Sequence, residues 1–259
     1  MNDILAVRRG QINTVYPDFF PEGLNKPMIA NFVDVAARDM AEVLAPLPSF
    51  NCTTQNINSE AEKRRVEKRT TIVNNYVQFS SLQTQMYTGS DWYLSYGFLP
   101  FVIEPDIDAR MPRIRVDNPL SAYPEFDRWG KLISYTKIYK KTIRELVNDY
   151  PEYQTQIVGK WGWDNVNPEQ SLSLIRYEDK DAVVLYIPER KNLVLNSVEN
   201  PMGKPMVVIA RRPGIDPDDP RGQFDDVLWV QLARARFAIL GMEAAEKSVQ
   251  APLVVPNDI

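Results

Sequence analysis

Apolar residues along the first ninety positions recur at helical spacing. From Met28 to Leu44, after Pro27, residues Ile29, Phe32, Val33, Ala36, Met40 and Val43 fall three or four apart, and Pro46 and Pro48 follow. Proline suits the first turn of a helix and cannot continue one. The pattern therefore predicts a helix with one buried face that ends before Pro46. Ser59 and Glu62 then have the Ser-x-x-Glu spacing of a capping box, with Glu60 and Glu62 at the positive end of the helix dipole. A second helix is predicted from there to Thr88 with Gly89 as its stop, roughly 40 Å of rod at about 1.5 Å per residue. Its first half, Glu60 to Arg69, is almost wholly charged, whereas Ile72, Val73, Tyr76, Val77, Phe79, Leu82 and Met86 crowd the second. The charged half should face solvent or a partner, and the apolar half should be buried.

From Asp91 the texture changes to aromatic and β-branched residues bounded by prolines. Trp92 to Ile103, Arg113 to Val116 and Lys131 to Tyr139 read as strands, with turns at Pro105 to Asp108, Asn118-Pro119 and Asp127 to Gly130. Thr142 with Glu145 three residues on predicts a short capped helix from Ile143 to Tyr150, stopped by Pro151. Leu172 to Tyr177, Ala182 to Ile187, Leu193 to Leu195 and Met206 to Ala210 follow as short strands joined by polar turns, an antiparallel meander. Residues Arg211 to Gly222, with three prolines, read as a linker. A final helix is predicted from about Phe224 to Gln250, with Asp225 and Asp226 at its start and Pro252 beyond its end. Its apolar residues do not form one stripe. Val227, Leu228, Ala235, Ala238, Met242 and Ala245 lie on one side, and Trp229, Leu232, Phe237 and Leu240 lie around the others. A helix apolar nearly all round must be covered nearly all round, by its own domain or by neighbouring copies. The expected fold class is α+β: an N-terminal helical arm over 1–90, a β-rich region with a short helix over 91–215, and a linker with a long helix over 216–259.

Composition works chiefly by exclusion. The chain contains no histidine, which removes Ser-His and Cys-His nucleophile pairs and His-ligated zinc. Neither G-x-G-x-x-G nor a Gly-Lys-Ser/Thr loop occurs; in Gly203-Lys204-Pro205 a proline stands where an amide donor is needed. A single cysteine, Cys52, excludes an intrachain disulfide and reads as apolar filler. Met1 to Gly10 has no signal-peptide core, and no apolar run reaches the length of a membrane span, so a cytoplasm-like setting is expected. With 20 prolines against 11 glycines, the joints between elements should be stiff. Net charge is −4 with the cations dispersed, which disfavours a tight, salt-sensitive grip on nucleic acid.

Two patterns keep other chemistry open. Asp106 with Asp108, Asp216 with Asp218 and Asp219, and Asp225 with Asp226 could hold a hard divalent cation, yet each group stands where turns and helix starts use aspartate as an acceptor. Lys131, Tyr135, Lys137, Tyr139, Lys140 and Lys141 alternate basic and aromatic residues. This reads as a half-buried strand with a solvated lysine face or, through Lys137, Lys140 and Lys141, as a weak contact for DNA or a partner. Lys63-Arg64-Arg65 is offset by Glu60, Glu62 and Glu67 and reads as a solvated or inter-subunit face.

The order of these elements resembles the portal proteins of tailed bacteriophages. The resemblance is carried by Asn200-Pro201-Met202-Gly203-Lys204-Pro205-Met206-Val207-Val208-Ile209 and the helix start Gly222-Gln223-Phe224-Asp225-Asp226-Val227. Ala244-Ala245-Glu246 through Ala251-Pro252, and Asn118-Pro119 to Gly130 before a Lys-Tyr-rich strand, add to it. It covers most of the chain from about Tyr16 and rests on diffuse motifs. It implies a structural, non-enzymatic subunit without cofactors, part of a longer protein, in a dodecameric ring at one capsid vertex. The ring would be assembled in the host cytoplasm and carried in the virion. DNA would pass through it during packaging and ejection, and terminase, capsid and tail adaptor proteins would dock on it. By the same resemblance Arg234, Arg236, Glu243, Glu246 and Lys247 are candidates for channel-facing or inter-subunit positions. The alternatives are another head-tail connector or scaffold module, or an enzyme that uses the Asp clusters with a metal ion.

Overall fold

The structure, a computed structural model, describes residues 2–11, 31–54, 59–106, 108–159, 163, 166–212 and 221–249. The predicted helix start at Pro27, the group Asp216, Asp218 and Asp219, and the stretch from Gln250 to Ile259 lie outside them. The described residues form an α+β fold with two antiparallel sheets.

Four helices come first: α1 (Asn2–Arg8), α2 (Phe32–Leu44), α3 (Glu60–Phe79) and α4 (Leu82–Tyr96). Asn31 caps α2 by accepting from the Asp34 amide at 3.2 Å, and its Nδ2 donates to the Val7 carbonyl at 2.7 Å, tying α2 to the end of α1. The buried face of α2 differs from the one predicted. Val33, Ala37 and Ala41 are buried, while Phe32, Met40 and Val43 are exposed. The small residues let α2 approach its neighbours closely, which leaves the larger apolar side chains facing outward. Arg8 fastens three helices at once: Nε donates to Asp34 at 3.0 Å, and Nη1 donates to Asp91 and Ser95 at 2.9 and 2.6 Å.

Ser59 caps α3 as predicted, accepting from the Glu62 amide at 3.4 Å. The rod does not end at Gly89, however. It breaks at Ser80 and Ser81, where Ser81 has φ 49°, and resumes as α4 until Gly97 at φ 81°. Gly89 is interior to α4, where an added Cβ would stand 3.0 Å from Val116 Cγ1 and 3.2 Å from Leu99 Cδ2; the glycine permits close packing. Nor is the second half of α3 buried: no residue of α3 is, because none of the described elements lies fully over it. Lys63 with Glu60 and Arg65 with Glu62 pair along its surface.

A three-stranded sheet has the order β2-β1-β8, with β1 (Phe98–Asp106), β2 (Met111–Val116) and β8 (Val207–Arg211). A five-stranded sheet runs β3-β4-β5-β6-β7, with β3 (Ala122–Phe126), β4 (Leu132–Thr142), β5 (Ser171–Glu178), β6 (Ala182–Ile187) and β7 (Leu193–Glu199). Three strands depart from prediction, the first because Trp92 to Tyr96 of the predicted strand Trp92 to Ile103 belong to α4, so that β1 starts only at Phe98. β3 contains Pro124, which hid it in the sequence and which an edge strand tolerates. β8 leaves the predicted meander and pairs instead with β1, Phe98 opposite Arg211 and Val102 opposite Val207. The helix break explains the fate of the β2 edge. Ser80 Oγ accepts from the Ile114 amide at 2.8 Å and Gln85 Oε1 from the Val116 amide at 2.8 Å, so side chains of the broken rod cover a strand edge that would otherwise be unpaired.

Helix α5 (Ile143–Asp149) carries the predicted Thr142/Glu145 capping box, and α6 (Gln154–Val158) follows it; both pack with Leu172, Leu174, Ile187 and Leu195. Helix α7 (Leu228–Val249) closes the fold against α1, α2 and the end of α4, through Leu228, Leu232, Ala235 and Ile239 packed with Ile4, Val33, Ala37 and Leu94. The chain reaches α7 across a backbone-to-backbone contact. The Gln223 amide donates to the Leu94 carbonyl at 2.6 Å, and an added Cβ on Gly222 would stand 2.1 Å from the Ser95 carbonyl oxygen. Gly222→Ala should therefore force this crossing apart and cost roughly 2–3 kcal/mol. Urea unfolding of the variant checks this, and an unchanged midpoint would refute the contact.

Candidate functional site

Two features stand out once the fold is assembled: the outer face of α7 and a cluster of charged side chains between the two sheets. The α7 feature follows from its sequence and the way the helix is seated. A five-residue approach, Gln223 to Val227, is held by Asp225, whose Oδ2 accepts from the Gly222 amide at 2.9 Å, and by Val227 and Leu228 amides donating to the Phe224 carbonyl. The regular helix begins at Leu228, four residues later than predicted. Leu228, Leu232, Ala235 and Ile239 then form one buried stripe. At about 100° per residue, Trp229, Ala233, Phe237, Leu240 and Ala244 fall into a second stripe on the opposite side. Trp229 is 60% exposed and Phe237 73%, and Leu240 is exposed too. Between Trp229 and Ala244 the stripe itself carries no charge, Arg236 borders it, and Lys247 falls in line with Trp229 five turns on.

The five predicted channel or inter-subunit residues flank these stripes. Arg236, Glu243 and Lys247, spaced seven and four apart, share one flank. Arg234 lies on the other, its guanidinium 4.0 Å from the centre of the Phe32 ring. Glu246 continues the line of the buried stripe beyond Ile239, where it is exposed. All but Glu243, which is half-buried, are exposed. The helix thus offers a cation-rich flank beside an apolar stripe, a pattern suited to a packed assembly with a polar rim.

The predicted basic-aromatic strand has a different outcome. On β4, Tyr135, Lys137 and Tyr139 alternate onto the face turned toward the three-stranded sheet. Lys137 is only 4% exposed, and its Nζ donates to the carbonyls of Asn118 and Leu120. It is therefore not offered to DNA or to any partner. The alternation was legible, but which face would be covered was not. Lys140 is on the surface, donating to Ser173 Oγ at 2.7 Å, and Lys141 pairs with Asp149.

Around Lys137 the sheets are joined by groups that the sequence reading did not single out. Glu104 on β1 accepts from Arg115 on β2 at 3.2 Å and from Arg176 on β5, linking the two sheets through one carboxylate. Arg176 also donates to the fully buried Glu178 at 2.9 Å, which in turn accepts from the Met206 amide at the entry to β8. Asp117 accepts from the hydroxyls of Tyr135 and Tyr139 at 3.2 and 3.0 Å. The available signal was parity: Arg176 and Glu178 alternate with Leu174 in phase, and Glu104 and Arg115 interrupt apolar strands. Beside this cluster, toward β6 and β7, lies a half-open cleft of about 880 Å³ floored by Val183, Leu185 and Val198.

Of the aspartate groups, Asp106 accepts from the Ala109 amide at 3.0 Å and pairs with Arg113, and Asp225 holds the approach to α7. Among the described residues no three His, Cys, Asp or Glu side chains gather to hold a metal ion, and no helix is long and apolar enough to cross a membrane. None of the known protein families matches this chain, and no curated protein is significantly similar to it.

Burial and Asp117 act together on the tyrosines. Burial first, then the charge of Asp117, push Tyr139 from its ordinary 10.0 up to about 12, and push Tyr135 upward as well. A group whose folded value is raised stabilises fully below its unfolded value and ceases to as pH climbs through the folded one. Stability should thus fall between about pH 10 and 12. Lys137, lowered by burial, works in the opposite sense. Because Lys137 is unchanged in a Tyr139→Phe variant, the variant should lose less stability than the parent over that interval. Denaturant midpoints at pH 9 and 11.5 check this; parallel losses would contradict the assignment.

Proposed function

We propose that this chain is a structural subunit of a phage portal. In this reading copies of it close into a ring at one capsid vertex, through which DNA is packaged and ejected, and to which terminase, capsid and tail adaptor proteins attach. The observation that carries the reading is the uncovered stripe of α7. A globular chain rarely leaves Trp229, Phe237 and Leu240 exposed on one helix face, and large contiguous apolar patches mark association sites. Burying the exposed parts of those three side chains against a neighbour is worth about 1–2 kcal/mol each.

The order of elements supports the same reading. A run of helices, then antiparallel strands, then a long final helix is the element order on which the resemblance was stated. The dispersed charge fits a channel that must let DNA slide. Phe237→Glu combined with Leu240→Glu should convert the assembly to monomers without lowering thermal stability, since both side chains are exposed in the isolated chain. Sedimentation velocity reads the change directly. A variant that keeps the parent's assembly state, or a parent that is itself monomeric, would sink the proposal.

A further inference from the structure

A second uncovered apolar face is independent of α7. On β4 the residues that alternate with Tyr135, Lys137 and Tyr139 point away from the three-stranded sheet, and the register carries their line across the neighbouring strands. Ile138, Ile175, Tyr186 and Val194 stand opposite one another on β4, β5, β6 and β7. Beside them Tyr123, Thr136, Tyr177, Val184 and Ser197 make a second row from β3 to β7. Helices α5 and α6 pack on the other face of the sheet, with Leu172, Leu174 and Ile187. No residue of the two rows joins a buried cluster, and Tyr123 and Val194 are exposed. An antiparallel sheet with one solvated face ordinarily turns polar residues to that side. Here every position except Thr136 and Ser197 is aliphatic or aromatic and none is charged, so the face calls for a cover.

Dimensions and charge choose the occupant. The second row crosses five strands, roughly 19 Å at four strand spacings. The α7 stripe from Trp229 to Ala244 runs roughly 22 Å at about 1.5 Å per residue. One long side of the rows is acidic: two residues beyond Tyr123 and Tyr177 stand Glu125 and Asp179. Glu125 accepts from Ser134 Oγ at 2.7 Å and Asp179 from the Tyr177 hydroxyl at 3.2 Å, and neither forms an ion pair with a described residue. The other long side carries Lys140. The α7 stripe likewise has unlike borders, Arg236 and Lys247 with Glu243 between them on one, and Val230, Gly241 and Ser248 on the other. Laid along the rows with its cationic border over Glu125 and Asp179, the helix sets an uncharged border against Lys140. A second copy must supply it, because each chain's own α7 is packed on α1, α2 and α4. Packing sheet face on sheet face would leave the α7 stripe uncovered, whereas helix on sheet covers both. Such a contact joins unlike surfaces head to tail, the kind that closes into a ring when the rotation allows.

We infer that the outer face of the five-stranded sheet receives the α7 stripe of a second copy, with Arg236 and Lys247 along its acidic side. The inference rests on the ring reading and gives the stripe its seat. The photoreactive residue p-benzoylphenylalanine, which bonds to nearby C–H groups on irradiation, takes the place of Phe237 in chains co-assembled with isotope-labelled parent chains. Mass spectrometry identifies the labelled peptides captured, and native mass spectrometry weighs the parent's assembly. Phe237 is exposed, so folding should be unaffected. The expected result is capture of labelled peptides from β3 to β7 at least tenfold above capture of labelled α2 or α7. Tyr123→Lys with Val194→Lys in the labelled chain, both at exposed positions, should lower that capture at least tenfold without moving the thermal midpoint. Rings with capture on α2 or α7 would overturn this seat and leave the ring reading standing, as would rings whose sheet capture is unmoved by the two lysines. Sheet capture without rings would support the seat and contradict the ring. Monomers without capture of labelled chain would overturn both.

Discussion

Two backbones touch where the chain enters α7, and the placement of the long helix depends on that contact. Gly222 lies against the Ser95 carbonyl, and an added Cβ on Gly97 would stand 2.4 Å from the Arg221 carbonyl oxygen. No side chain fits at either position, and Gly97 also holds a positive φ that ends α4. The same crossing receives β8, whose pairing with β1 returns the chain to the end of α4 after about a hundred residues of β structure. Because the entry point is fixed, α7 must lie along α2 with Leu228, Leu232, Ala235 and Ile239 inward. The opposite stripe is then left outward by geometry, whatever its composition.

In the β region a charge cluster joins the two sheets beside apolar clusters around Leu172 and Tyr135. Glu104 serves two arginines from two different sheets, and Glu178 anchors both Arg176 and the backbone that leads into β8. A buried ion pair is often no more stabilising than an apolar substitute, but leaving one partner alone is costly. Such a cluster therefore favours one relative placement of the sheets over its alternatives. That fixed placement sets the width of the cleft beside it.

Much of this was legible in local patterns. The cap at Ser59, the capping box at Thr142, the strand Ala182–Ile187 and the all-round apolar character of the last helix follow from spacing alone. What failed were statements about which face is covered. Periodicity picked Phe32 and Met40 for the core of α2, but the alanines are inside because close helix approach favours small residues. Gly89 looked like a stop and serves as a close-packing site, while the true break at Ser80 and Ser81 depends on a strand edge more than thirty residues away. Lys137 looked solvated and is buried, since nothing in β4 alone says that a second sheet lies over it. The partner of β8 was likewise invisible, because strand pairing is a tertiary choice. The candidate association site, in contrast, could be read early, since an excess of apolar residues on one helix needs no knowledge of its neighbours.

The fold leaves Trp229, Phe237 and Leu240 exposed on one face of α7 and Trp129 exposed at the tip of the β3–β4 hairpin. These features fit a part made to sit beside copies of itself. The most direct measurement is electron microscopy of the purified assembly viewed down its axis. The account predicts closed rings with α7 of each copy packed against its neighbours around a central opening. Monomers, open filaments, or rings in which the Trp229–Phe237–Leu240 stripe faces solvent would contradict it.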